Sequence, residues 1–267
     1  MKNKVVVVTG ASSGIGKACA TFFASKGSRV VLSARSHETL KSISDKLNEK
    51  GYDTTHIAAD VCKESDCRRL IHETLNRYKK IDVLINNAGV SMRAILEDLE
   101  LSVFEKVMRV NFFGTVYCTK YALPHILTTK GSIIGISSIA GYKGLPARCA
   151  YSASKFAMHG FLESLRIENL EKGLHVLTAC PGFTASNIRK KALSKDGTVQ
   201  AESPRDEATM MSADEVAEKV YTSTINRQNS LVLTINGKLT VFLNKFFPSL
   251  VNRLVFNHLK KEPNSPF

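Results

Sequence analysis

No cysteine pair in this chain has the spacing of a metal or redox motif. The six cysteines stand at 19, 62, 67, 118, 149 and 180, and none forms a Cys-x-x-Cys. Cys62 and Cys67 are the only close couple, and no histidine cluster stands near them to complete a metal site. All six read as reduced thiols, mostly core filler, which sets the expectation of a cytoplasmic protein. No uninterrupted apolar run is long enough to span a bilayer. The chain enters a strand almost at once, which leaves no room for a signal peptide. No Lys/Arg block is interleaved with aromatics, and no nucleic-acid-binding motif of the usual kinds occurs, so nucleic acid is not an expected partner. Internal repeats and low-complexity segments are also missing.

What is present suits one large α/β domain. The 267 residues are 43% hydrophobic and 23% charged, enough for a sizeable buried core. The formal charge of +13 favours an anionic partner, either a phosphorylated cofactor or a membrane surface, and also serves simple solubility.

Residues 4–8 are a β-branched run that reads as a buried parallel strand. Thr9-Gly10-Ala11-Ser12-Ser13-Gly14-Ile15-Gly16 follows, then a helix expected at 17–26. A strand, a glycine-rich turn and a helix start make an anion cradle, because glycines admit the backbone N–H groups to a phosphate and the helix start adds partial positive charge. Gly10, Ser12, Ser13, Gly14, Ile15 and Gly16 are the candidate contacts. The second strand, 29–33, ends in Ala34 and Arg35, where a site for NAD usually carries an acid for the ribose 2′-OH. A guanidinium with no carboxylate beside it suits a 2′-phosphate, so NADP(H) is expected over NAD. After a helix over 38–50 and a strand over 54–58, Asp60-Val61 offers an acid for an adenine edge, or else a cap for the next helix. A fourth strand, 81–85, runs into Asn86-Asn87-Ala88-Gly89, a turn positioned to line the same crevice.

The helical pattern over 101–127 contains Asn111 amid large apolar residues, so its amide is expected to be buried and partnered by a backbone carbonyl and a water. A fifth strand, 131–138, delivers Ser138 to the functional rim of a parallel sheet. Tyr151-Ser152-Ala153-Ser154-Lys155 then sets Tyr and Lys four apart, on one helix face. A phenol has an unperturbed pKa near ~10. A neighbouring ammonium is expected to pull it down and make Tyr151 a proton donor or acceptor for a substrate oxygen. Strand six, 174–179, leads to Cys180-Pro181-Gly182-Phe183-Thr184, a turn for a nicotinamide ring. Residues 187–211 read as a lid, Ser212 and Glu215 as a capping box, and 230–235 as a last strand. From residue 238 apolar residues recur at helical spacing among Lys245, Arg253, Lys260 and Lys261, with Pro248 kinking or restarting the helix. This extension, 238–267, rests on an anionic membrane, on its own body or on a second subunit.

In this order, the motifs Thr9-Gly10-x-x-x-Gly14-x-Gly16, Asn86-Asn87-Ala88-Gly89, Asn111, Ser138, Tyr151-x-x-x-Lys155 and Pro181-Gly182 resemble the short-chain dehydrogenase/reductase family over about residues 4–235. The resemblance implies an α/β fold, a Rossmann-type doubly wound parallel sheet with helices on both faces, in a single domain. It implies a nicotinamide cofactor and a catalytic group of Asn111, Ser138, Tyr151 and Lys155, and it suggests a homo-dimer or homo-tetramer. Lys155 would also hold ribose hydroxyls, and Asn111 a water path. The family's threonine after Pro181-Gly182 falls near Thr184 or Ser186, which leaves open which hydroxyl meets the carboxamide. The expected activity is interconversion of a carbonyl and a secondary alcohol on an apolar, lipid-, acyl- or steroid-like substrate. The alternative is a catalytically silent dinucleotide-binding sensor or scaffold, for which the glycine turn suffices without Tyr151.

Overall fold

The computed structural model describes residues 1–186, 188–200 and 210–267. Among them seven strands run in chain order: β1 (Val5–Thr9), β2 (Arg29–Ala34), β3 (Thr54–Ala58), β4 (Val83–Asn86), β5 (Ser132–Ile136), β6 (His175–Cys180) and β7 (Ser230–Val232). All pair in parallel in the spatial order β3-β2-β1-β4-β5-β6-β7. The order reverses between β1 and β4, and a crevice opens there beyond the strand C-termini.

The helices are α1 (Gly14–Ser25), α2 (His37–Asn48), α3 (Glu64–Tyr78), α4 (Leu101–Met108), α5 (Gly114–Thr128), α6 (Cys149–Glu168), α7 (Ala213–Ile225), α8 (Ile235–Phe246) and α9 (Pro248–Lys260). Successive side chains of a strand alternate between faces. Val6 and Val8 therefore pack with Phe23 of α1, Leu40 of α2 and Val216 of α7. Val5 and Val7 pack with Leu70 of α3, Cys118 of α5 and Met158 of α6. Both faces are covered, so β1 is apolar from Val5 to Val8 and its one polar side chain, Thr9, is hydrogen-bonded. Each fully buried aliphatic side chain contributes about 1.5–3 kcal/mol. A third, smaller cluster of Met92, Val103, Val107, Ala150 and Leu193 lies beside Tyr151.

Several boundaries differ from the sequence expectation. Helix α1 begins at Gly14 because Ser13 is already an extended N-cap. The expected helix over 101–127 is α4 and α5 joined by a π-helical turn, Arg109–Phe113. The last strand stops at Val232. Thr234 takes a φ of +67° and its hydroxyl accepts from the Gly237 N–H, so it caps α8 where strand alternation had suggested residue 235. Pro248 restarts the chain as the first residue of α9. The capping box is present, with Ser212 and Glu215 each accepting from the other's backbone N–H.

One buried carboxylate fixes β1 against β4. Asp82 accepts from Lys4 Nζ at 2.8 Å, from the Val5 N–H at 2.9 Å and from Lys80 Nζ at 3.0 Å. Burial pushes its carboxyl upward, but these three donors outweigh it and the net shift is below the usual value. A depressed folded-state pKa stabilises above the unfolded carboxyl range, and that contribution is lost as pH falls through the folded value. Asp82→Ala is expected to lower the unfolding free energy by about 1–3 kcal/mol at neutral pH, and by less in acid. Denaturant midpoints at the two pH values check both statements.

Candidate active site

The crevice is a cleft of about 1110 Å³. Its first wall is the turn after β1. Gly10 has a φ of +67°, and a Cβ there would lie 2.8 Å from the Ala88 Cα, so only glycine fits against the neighbouring turn. Gly10, Ser12, Ser13, Gly14 and Ile15 all line the cleft. Ser13 gives α1 no side-chain cap and the first turn holds no acid, so the N–H groups there are left to an anion. Gly16 does not line the cleft. A Cβ on it would meet the Asn87 Nδ2 and the Gly10 carbonyl at 2.3 Å, so this glycine serves close packing.

The second wall is the turn after β4. Asn87 Nδ2 donates to the Thr9 and Gly10 carbonyls at 2.9 and 3.2 Å, and the Asn87 and Ala88 N–H groups donate to Thr9 Oγ1. The two turns are thus tied together, and Asn87, Ala88 and Gly89 line the cleft. Asn86 turns away to donate to Thr119. At the far end Arg35, Ser36 and Thr39 line the cleft beside the start of α2. Asp60 and Val61 line it too. Asp60 does not cap α3, whose N-cap is Lys63. It closes the preceding turn by accepting from the Cys62 N–H at 3.0 Å.

Asn111 sits in the π-helical turn, fully buried and outside the cleft. Its Oδ1 accepts from the Val90 N–H at 2.8 Å, and its Nδ2 donates to the Val90 carbonyl and to Ser154 Oγ, both at 2.9 Å. The Ser154 hydroxyl donates in turn to the Tyr151 carbonyl at 2.7 Å. The carbonyl partner expected for this amide is present. Both its amide hydrogens are used, one by that carbonyl and one by Ser154.

Tyr151 lies on the first turn of α6 and lines the cleft together with Ser138, whose Oγ accepts from the Ala140 N–H. Lys155 is buried, donates to the Ile136 carbonyl at 2.9 Å and holds its Nζ 5.7 Å from the Tyr151 ring centroid. Burial lowers Lys155 to about 8. Burial also raises the Tyr151 phenol above its ordinary value, against smaller lowering by Ser138, Arg148 and Arg189. This corrects the expected direction: desolvation outweighs the groups that lower the phenol. Behind them His159 Nε2 lies 2.7 Å from Ser137 Oγ and 3.5 Å from Cys180 Sγ. Burial takes His159 down to about 4 and the Cys180 thiol up to about 12, so both are neutral at pH 7.

Pro181, Gly182 and Thr184 line the last wall. The Thr184 hydroxyl donates to the Gly182 carbonyl at 3.2 Å. Ser186 also lines the cleft, its Cβ 3.4 Å from the space a Cβ on Gly14 would take. Of the expected lid, Asn187 and residues 201–209 lie outside the described residues. The part at 188–200 is tied to the body, since the Leu193 carbonyl accepts from the Arg93 N–H and the Lys195 carbonyl from the Glu100 N–H. Leu145, Arg148, Phe183, Ile188, Arg189 and Val199 also line the cleft, and none carried a local sequence signal.

The comparisons agree with this geometry. Residues 4–197 match the family model described as short chain dehydrogenase. Dehydrogenase/reductase SDR family member 7B of Mus musculus is 35% identical over 271 residues, covering 99% of this chain and 84% of that protein. An 11-beta-hydroxysteroid dehydrogenase of Pinus massoniana is 40% identical over 210 residues, 77% of this chain and 59% of that protein. Among solved structures, an alcohol dehydrogenase of Thermococcus sibiricus complexed with 5-hydroxy-NADP superposes with a TM-score of 0.77 at 26% identity, covering 87% of this chain and 96% of that one. The chain belongs to the short-chain dehydrogenase/reductase family, and it is an oxidoreductase.

Asn111 satisfies three groups on two elements, so Asn111→Ala should destabilise by about 1–3 kcal/mol for each buried partner it orphans. Chemical denaturation measures the loss, and an unchanged midpoint would refute the bridging role.

Proposed function

We propose that the cleft binds NADP(H) and that the protein interconverts a carbonyl and a secondary alcohol, with Tyr151 exchanging the proton. The observation that carries this is the grouping of the Tyr151 phenol, Ser138 and Lys155 on the same rim as the glycine turn. The nicotinamide supplies hydride chemistry when bound. The uncapped start of α1 and the turn at Gly10 and Gly14 suit its pyrophosphate, and Lys155 is near enough the rim to hold ribose hydroxyls. Arg35, Ser36 and Thr39 offer a guanidinium and two hydroxyls at the end of β2, and the nearby Glu38 does not line the cleft, which favours a 2′-phosphate.

Ser138 orients the substrate oxygen. The raised pKa keeps Tyr151 protonated at neutral pH, which suits donation to a carbonyl oxygen as it gains negative charge. Lys155 is largely cationic below pH 8 and stabilises the phenolate left behind. Asn111 fixes the turn that presents Tyr151. The far wall of Leu145, Phe183, Ile188 and Val199 suits an apolar substrate, and a relative named for a hydroxysteroid substrate is consistent with a steroid- or lipid-like one.

The C-terminal hairpin supports a peripheral membrane contact. In α8 and α9 the buried residues are Gly237, Val251 and Leu259. Leu239, Phe242, Phe246, Phe247, Leu250 and Leu254 are each more than half exposed. Lys238, Lys245, Arg253, Lys260 and Lys261 flank them, and Glu262 is the one acid in 235–267. A two-fold contact between two such faces would oppose like charges, whereas an anionic bilayer complements both the charge and the apolar stripe. No helix among the described residues is long and apolar enough to cross a membrane.

Tyr151→Phe should lower turnover by about 10²–10⁴-fold while NADPH still binds, and NADPH should bind more tightly than NADH. Stopped-flow oxidation with fluorescence titration reads both, and retained turnover in the variant would overturn the assignment. Vesicles containing anionic lipid should sediment the protein, and neutral vesicles or the Lys238→Glu/Lys245→Glu/Arg253→Glu variant should not. Equal recovery in all three, or a mass showing a dimer closed through this face, would count against the membrane.

A further inference from the structure

Glu262 is the one carboxylate in a basic C-terminal segment, and it is not at the surface. Its side chain is 4% exposed. Arg148 Nη2 donates to its Oε2 at 2.8 Å, and Arg93 Nη2 lies 3.6 Å from the same oxygen while donating to the Pro263 carbonyl at 2.7 Å. The turn holding Glu262 is itself closed, with its N–H donating to the Leu259 carbonyl and its carbonyl accepting from the Ser265 N–H. Both arginines belong to the cleft's substrate side. Arg148 lines the cleft and is the N-cap of α6, three residues before Tyr151. Arg93 lies on the segment following the second wall. Its N–H donates to the carbonyl of Leu193, which lines the cleft, and the Ala94 N–H beside it donates to the Ala147 carbonyl.

We propose that Glu262 is a positioning residue for the reaction: it clamps Arg148 and Arg93, and through them the substrate wall and the start of the helix carrying Tyr151. The C-terminal segment is then a working part of the active site. Glu262 touches no reacting atom and acts in two ways. It fixes the backbone from which Tyr151 projects, and it neutralises a guanidinium that faces the phenol. The inference rests on Tyr151 being the proton-exchanging group. The charged and titratable groups facing that phenol are Arg148 at the helix start, Lys155 on its own helix, Cys180 at the end of β6 and Arg189 beyond it. His159, next to Lys155, is held neutral by burial.

The charge effect has a sign that a purely structural role lacks. In Glu262→Gln the Arg148 cation is uncompensated, so it favours the phenolate and the alkaline limb of turnover against pH should move down, by roughly half a unit. In Arg148→Gln the cation is removed while Arg93 still faces Glu262, so the limb should move up by a similar amount. The double variant should return near the parent. Turnover should fall several-fold in Glu262→Gln, with the larger change in kcat. Shifts of the same sign, or a lowered melting temperature with an unmoved limb, would overturn the proposal. Should Glu262→Gln not fold, Glu262→Asp keeps the charge on a shorter stem. It must reduce kcat without moving the limb, and a parent-like kcat would also overturn it. Tyr151→Phe in the same assay separates the two readings: if that variant is inactive and the limbs do not move, only the role of Glu262 fails.

Discussion

The site depends on one saturated amide. Asn111 is buried on a π-helical turn and spends its oxygen and both its amide hydrogens on the loop after β4 and on Ser154 in the second turn of α6. An unpaired amide there would cost several kcal/mol, so the loop, the turn and the helix hold their relative places or all shift together. The π turn is what lets a side chain inside an otherwise continuous helix reach two elements at once. Such turns interrupt regular helices frequently at functional sites. Here the interruption places the amide outside the cleft lining, bonded to Val90 and to Ser154 of the helix that carries Tyr151.

The electrostatics follow from burial. Tyr151, Lys155, His159 and Cys180 share one low-dielectric region, and burial drives each toward its neutral form. For the phenol, thiol and imidazole it succeeds at neutral pH. For the lysine it is incomplete: a pKa of about 8 leaves it largely protonated at pH 7. A cation among neutral neighbours in a desolvated pocket interacts strongly with any anion formed beside it. Burial leaves the phenol above its ordinary value. In the proposed reaction Lys155 would stabilise the charge that develops once the proton has left Tyr151.

The parts of this arrangement legible in the sequence are those encoded locally. The valine run of β1, the glycine spacing after it, the Asn87-Ala88-Gly89 turn and the i, i+4 placing of Tyr151 and Lys155 each occupy a few consecutive residues, and the fold puts them on one rim. Periodicity did not reveal the π turn, since the apolar pattern of 101–127 runs through it unbroken. The direction of the Tyr151 shift was misjudged because a sequence shows the neighbouring lysine but not the depth of burial. Arg148 and Glu262 are 114 residues apart. Neither belongs to a repeat, a cap box or a glycine turn, so only tertiary structure could pair them.

The C-terminal hairpin faces two ways, and the two faces have different physics. Inward it is polar: Lys143, drawn below its ordinary pKa by burial, donates to Asn244 and Asn252, and Asn244 donates to the Tyr142 carbonyl. These bonds are directional and anchor the hairpin to the segment between Ser138 and Tyr151. Outward it is apolar and basic, and nothing among the described residues buries it. Apolar burial is non-directional and tolerates sliding, whereas a buried network holds only if each member keeps its partner. Phe183, on the cleft wall, lies 6.5 Å from the His258 ring of α9, so the cleft and the hairpin meet there as well.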